Sequence, residues 1–215
     1  MAKRAIILFL TLFLWTHSWA QDELVFRSLF TGEVLKENEG VKVELKHQYL
    51  ARSPLYLVDL NGNDRREGLN FIYKDGTYWF ELYDFKREKL FEYKFQSLGA
   101  KAQVHRIRLV EISKNIKALV FYFFEGVTSY VESTATGRLY ILSFENGELK
   151  DLKMNRGAPY WYEKKDHLGR YQRRRYEMNV VDIDEDNVKE VITSSGKINH
   201  IMRYVGKGVW KYSNL

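Results

Sequence analysis

The chain has 215 residues, of which 45% are hydrophobic and 15% aromatic, and a formal net charge of +6. Cysteine is absent, which excludes a disulfide framework and a cysteine-anchored lipid. The mild basic excess permits contact with anionic surfaces but does not imply nucleic acid, and the length is enough for one domain burying about 70% of its unfolded surface.

Residues 1–20 read as a secretory signal peptide. Lys3 and Arg4 form a basic n-region, residues 5–15 are apolar, and Ser18-Trp19-Ala20 places small residues where a signal peptidase reads them. The expected mature chain, 21–215, is a single exported domain, periplasmic or extracellular. Its leader is shorter than the roughly 20 apolar residues of a membrane span, and no other stretch is apolar enough to cross a bilayer. Fifteen Tyr and 13 Phe against 2 Pro favour sheets.

In chain order, strand-like runs bounded by Gly turns repeat. Residues 24–53 form a partial copy, in which 41–46 alternates strictly and predicts a strand. That segment either starts a fourth unit or closes the sheet against the C-terminus. Copy one, about 54–98, holds strands near 54–58, 69–73, 77–83 and 89–95; the last alternates as an outer strand should. A short helical piece is expected within 84–89. Copy two, about 104–155, holds the continuously apolar run 118–124, as a strand buried on both faces would, and a last strand near 148–150. Copy three is about 171–215. Extra length before it, 151–170, is expected as an insertion looping out on a binding face.

Copies one and three each carry an oxygen-rich loop between their first two strands. One is Asp59-Leu60-Asn61-Gly62-Asn63-Asp64-Arg65-Arg66-Glu67, the other Asp182-Ile183-Asp184-Glu185-Asp186-Asn187-Val188-Lys189-Glu190. Side-chain oxygens at positions 1, 3 and 5 (Asp59, Asn61, Asn63; Asp182, Asp184, Asp186) turn inward on a tight loop. A main-chain carbonyl at position 7 (Arg65 or Val188) can join them, and Glu67 or Glu190 closes the cage. Six to eight oxygens in irregular geometry suit Ca²⁺ better than Mg²⁺. One or two structural Ca²⁺ sites are expected, the tighter at the more acidic loop of copy three. Copy two has Glu111, Ser113 and Asn115, with Leu119 where the closing carboxylate should stand, and is expected to bind no metal.

This apolar-Asp-x-Asp/Asn-x-Asp/Asn pattern, with an acidic ninth position and a following apolar strand, resembles the FG-GAP or VCBS-type repeat of integrin α-like β-propellers. The resemblance implies an all-β fold, a small β-propeller-like domain of three to four antiparallel blades, with Ca²⁺ held between two strands of a blade. The usual Gly at position 6 is replaced by Asp64 and Asn187, both of which tolerate a left-handed backbone. Gly157-Ala158-Pro159 is the only trace of the family's Gly-Ala-Pro signature. An EF-hand closes at position 12 between helices and fits less well.

A second candidate surface is Tyr160, Trp161 and Tyr162, beside Lys164 and Lys165 and followed by Arg173, Arg174 and Arg175. Aromatic faces stack on sugars, and guanidinium groups pair with carboxylate or phosphate. The alternative is that the aromatics pack under a loop while the arginines line a solvated strand. No His stands in a metal-ligand or nucleophile spacing, so no catalytic residue is assigned. The expected function is that of an exported, non-enzymatic binding protein contacting a glycan, an anionic envelope polymer or a protein, and not nucleic acid. An envelope scaffold, oligomeric or not, is the alternative; a hydrolase with two close carboxylates comes third.

Overall fold

A computed structural model describes residues 48–50, 55–74, 76–96, 102–128 and 133–214. The expected leader, the strand at 41–46 and most of the partial copy lie outside the described residues. The described part is all-β. Its fourteen strands are β1 (Gln48–Leu50), β2 (Leu55–Val58), β3 (Glu67–Lys74), β4 (Thr77–Tyr83), β5 (Lys89–Lys94), β6 (Gln103–Ser113), β7 (Ile116–Thr128), β8 (Ser133–Glu145), β9 (Met154–Lys165), β10 (Tyr171–Arg175), β11 (Glu177–Val181), β12 (Glu190–Ser195), β13 (Ile198–Gly206) and β14 (Val209–Asn214). Among the described residues no helix is long and apolar enough to cross a membrane.

The strands form three antiparallel sheets. Two are four-stranded meanders, β2-β3-β4-β5 and β11-β12-β13-β14; the central one has the order β1-β6-β7-β8-β9-β10. In β7, residues 118–124 are all buried, as the unbroken apolar run requires. Successive side chains of a strand point to opposite faces, so both faces of the central sheet must be covered. Phe121 and Phe123 meet the first meander: ring centroids lie 4.9 Å apart for Phe80–Phe121 and 4.6 Å for the stacked Phe95–Phe123 pair. Tyr140 on β8 joins this seam, 5.0 Å from Phe95. Tyr122, on the opposite face, donates from its hydroxyl to Met178 Sδ on β11 at 3.3 Å. There the second meander is tied on by Thr193 Oγ1 to the Pro159 carbonyl, 3.0 Å, and by Trp210 Nε1 to Ser143 Oγ, 3.1 Å. Outer strand β5 alternates between exposed and half-buried positions, as its sequence pattern predicts.

Three local expectations are corrected. Residues 84–88 form a turn rather than a helical piece: Asp84 Oδ1 accepts the N–H groups of Lys86 (2.8 Å) and Glu88 (2.7 Å). A short carboxylate that captures nearby N–H groups competes with helix formation. The last strand of the central meander is β9, not 148–150, where Glu148 makes only an isolated bridge to Glu145. The 151–170 stretch is accordingly mostly strand and hairpin. Its Gly157-Ala158-Pro159 lies at a bulge, where the β8–β9 register shifts around Arg138 and a missing N–H is tolerated. β1, the described part of the partial copy, adds to the central sheet beside β6.

At Gly157 the second meander lies close against β9. A Cβ there would lie 2.4 Å from Met202 Sδ and 3.1 Å from the Leu139 carbonyl. Gly157→Ala should therefore lower stability by about 1–3 kcal/mol in urea unfolding. Met202→Ala should cost less in that background than in wild type, because the two changes relieve one another.

Candidate metal centre

Each meander joins its first strand to its second through one of the two acidic loops, and the loops share a backbone. Position 4 is left-handed in both, Gly62 at φ 79° and Glu185 at φ 61°; so is position 6, Asp64 at 60° and Asn187 at 68°. Three hydrogen bonds recur at equivalent positions. The first carboxylate accepts the N–H of position 6: Asp59 Oδ2 from Asp64 (2.9 Å) and Asp182 Oδ2 from Asn187 (2.8 Å). The fifth residue accepts that of position 7: Asn63 Oδ1 from Arg65 (2.9 Å) and Asp186 Oδ1 from Val188 (2.8 Å). The closing glutamate accepts that of position 2: Glu67 Oε2 from Leu60 (2.8 Å) and Glu190 Oε2 from Ile183 (3.0 Å). Both glutamates are buried, as the first residues of the second strand in their meanders.

The loops differ in the oxygens they leave uncommitted. In the first, Asp59 Oδ1 also accepts from Gly62 (2.7 Å) and Asn63 (3.2 Å), and Asn61 Oδ1 accepts from Asn63 (3.2 Å). Desolvation works against ionisation of Asp59, but the N–H groups of Gly62, Asp64 and Asn63, with Lys117 nearby, outweigh it and hold the carboxyl below the usual range. Burial, aided by the charges of Asp59 and Asp84, pushes the Glu67 carboxyl up against the pull of the Leu60 N–H. In the second loop Asp182 Oδ1 is buried and has no hydrogen-bond partner. It belongs to a group of three carboxylates, Asp182, Asp184 and Glu190, whose ligand atoms all lie within 4.8 Å of one another. A desolvated, unpartnered oxygen among other hard oxygens fits a metal ion, and this cluster could hold one. Asp186 lies in the same loop but outside that group. Arg65 and Val188 stand at position 7 as expected, and the Arg65 guanidinium covers the Phe85 ring at 4.4 Å.

Where copy two was expected to carry an eroded loop, the chain makes a tight β6–β7 hairpin at Lys114-Asn115, with Ser113 opposite Ile116. Glu111 and Ser113 lie within β6. The loops and turns gather here: Lys189 N–H donates to the Ile112 carbonyl at 2.9 Å, and Gly147 packs against Asn61.

The aromatic-basic patch is divided by its strand. Tyr160 and Trp161 are buried, which removes them from an exposed ligand surface. Tyr160 fits over Gly137, whose Cβ would lie 2.6 Å from its ring; its hydroxyl lies 3.3 Å from His105 Nδ1 and donates to the Phe123 carbonyl at 3.4 Å. Trp161 Nε1 donates to buried Glu163 at 3.1 Å. Tyr162 is half-buried, Arg175 is partly covered, and Lys164, Lys165, Arg170, Arg173 and Arg174 are exposed. Arg174 is the register partner of Tyr162, and Gln172 that of Lys164. The acid at the hairpin tip, Asp166, is held by Arg170 Nε at 2.7 Å.

Two residues of the loop surroundings have no signal in the sequence. Arg203 on β13 reaches Asp184 and Glu190, and Asp84 stands near Glu67. Both placements come from strand register. Comparison with family models, curated proteins and solved structures found no match.

His105 supplies a pH test of the packed aromatic side. Burial, with Arg106 alongside, lowers its pKa from 6.5 to about 3, against an opposing backbone hydrogen bond at Tyr122. The folded state therefore resists protonation that the unfolded chain accepts. This contribution is complete above pH 6.5 and is lost as pH falls toward 3, by up to about 1.4 kcal/mol per pH unit. His105→Phe should flatten the fall in urea-unfolding stability between pH 6 and pH 4 relative to wild type.

Proposed function

We propose that this chain is an exported, non-enzymatic binding protein with a propeller-like β-domain. Structural Ca²⁺ stabilises it at the Asp182 loop and, more weakly, at the Asp59 loop, and its basic hairpin contacts an anionic envelope polymer or glycan. The observation that carries the metal reading is the shared loop backbone, repeated down to the left-handed residues at positions 4 and 6, with an orphaned carboxylate oxygen in the more acidic copy. All-oxygen donors in an irregular loop suit Ca²⁺. Asp182, Asp184 and Glu190 would hold it, and the bound ion would supply the charge that lets these carboxylates stay close together. Asp59 and Glu67 with the amide oxygens of Asn61 and Asn63 are a poorer set, since their lone pairs are largely engaged by the loop itself.

The partner reading rests on the hairpin of β9 and β10. Lys164, Lys165, Arg170, Arg173 and Arg174 are exposed there, with Tyr162 half-covered beside Arg174. Such a surface attracts a polyanion through its summed charge, and the attraction weakens with salt.

Thermal melting in a chelator and in millimolar Ca²⁺ tests the first part. An ion at about 100 times its dissociation constant adds about 2.7 kcal/mol, so the melting temperature should rise. Asp182→Ala should remove more of that rise than Asp59→Ala. The same melting temperature in both buffers contradicts the metal reading. For the second part, retention on an anionic polysaccharide column should fall with salt and fall further in the double change Lys164→Ala and Arg174→Ala; retention independent of both contradicts it.

A further inference from the structure

Resting on the Ca²⁺ reading of the Asp182 loop, we infer that Arg203 is the resident counter-cation of this site, and that Ca²⁺ binds by displacing its guanidinium. Arg203 thereby sets the affinity of the loop.

Three carboxylate oxygens of the loop remain uncommitted or face Arg203. Glu190 Oε2 accepts the Ile183 N–H, which leaves Oε1, and Arg203 Nε faces that atom at 3.6 Å. Asp182 Oδ2 accepts the Asn187 N–H, which leaves the unpartnered Oδ1. Asp184 Oδ2 faces Arg203 Nη2 at 3.9 Å. Thus two of the three carboxylates that could hold an ion turn oxygens toward one guanidinium. Both distances exceed the roughly 2.7–2.9 Å of a charge-assisted hydrogen bond. Arg203 therefore balances the cluster by charge without being clamped in it. Its side chain is 49% exposed and can swing into water when a dication takes the same oxygens. Its register partner on β14 is Lys211, and that like charge favours a guanidinium turned toward the carboxylates.

The other loop is arranged with the opposite sign. Arg203 stands one step beyond the Val191–Met202 pair; the same step beyond Gly68–Tyr83 in the first meander falls on Asp84. There an acid stands near the closing glutamate instead of a base. The more acidic loop is thus partly neutralised by its own strand, and the less acidic loop is not. When Ca²⁺ leaves, Arg203 keeps the carboxylates of the Asp182 loop balanced, so the loop need not open.

Calorimetric titration of the purified chain with Ca²⁺ tests this, using wild type, Arg203→Gln, and Lys211→Gln as a control for loss of a nearby charge. Cooperative melting in chelator verifies that each variant is folded. Arg203→Gln should bind about tenfold more tightly, since affinity follows the charge at the site, and should melt at a lower temperature in chelator. Lys211→Gln should change affinity by less than about threefold. The gain should vanish when Asp182→Asn is added, which places it at this loop. If wild type binds Ca²⁺ and Arg203→Gln binds it equally or more weakly, the role of Arg203 is overturned while the metal reading stands. If neither protein binds Ca²⁺, both are overturned.

Discussion

The fold depends on one strand that cannot face water. Residues 118–124 of β7 are buried without a break, so the central sheet needs cover on both faces. The two faces are covered by different chemistry. On one side Phe71, Phe80 and Phe95 pack against Phe121 and Phe123, in rings whose full burial stabilises by about 1.5–3 kcal/mol each. On the other side contact is more polar, through Met178, Thr193, Met202 and Trp210. The second meander is therefore held by specific hydrogen bonds and by the small residue at 157, where the first is held by an aromatic seam.

That arrangement decides where the acidic loops lie. Each connects the first two strands of a covering meander, and each touches the central sheet beside one of its connections, at the end of β6 (Ile112) or at Gly147. The loops are shaped by their own side chains. A carboxylate at position 1 gathers N–H groups from position 6, and a buried glutamate at position 9 gathers that of position 2. Such captured N–H groups allow a short loop to hold two left-handed residues, among them Glu185, which is neither Gly, Asn nor Asp and costs about 1–2 kcal/mol there. The same bonds use up lone pairs. What distinguishes the loops is the remainder: little in the Asp59 loop, and in the Asp182 loop one desolvated oxygen beside two carboxylates that face an arginine.

Local pattern was enough to place much of this. The apolar run 118–124, the alternation of 89–95 and the 1-3-5-9 spacing of the loops each follow from residue types within a few positions, and each occurs where the pattern says. Position 6 is left-handed at Asp64 and Asn187, as residues of that type permit. The misplacements have a common origin in long-range register. Tyr160, Trp161 and Tyr162 stand beside lysines, and the sequence leaves open a surface or the packing that Tyr160 and Trp161 adopt. Their facing, however, is fixed by a bulge opposite Arg138 and by the space over Gly137, neither of which is local. Gly157 gives no sign in the sequence of its value as a thin spot under Met202, which appears only when another sheet is present. Arg203 and Asp84 are far along the chain from the glutamates they influence, and only the pairing of second and third strands brings them near.

We propose the Asp182 loop as a metal site built from oxygens that the loop leaves uncommitted. Crystals grown with Tb³⁺ in place of Ca²⁺ would test it most directly, through the anomalous difference map. A metal at this loop should give a peak bounded by Asp182 Oδ1, Asp184 and Glu190, with the Arg203 guanidinium turned away. A map without a peak at this loop, with Arg203 still against Asp184 and Glu190, would contradict it.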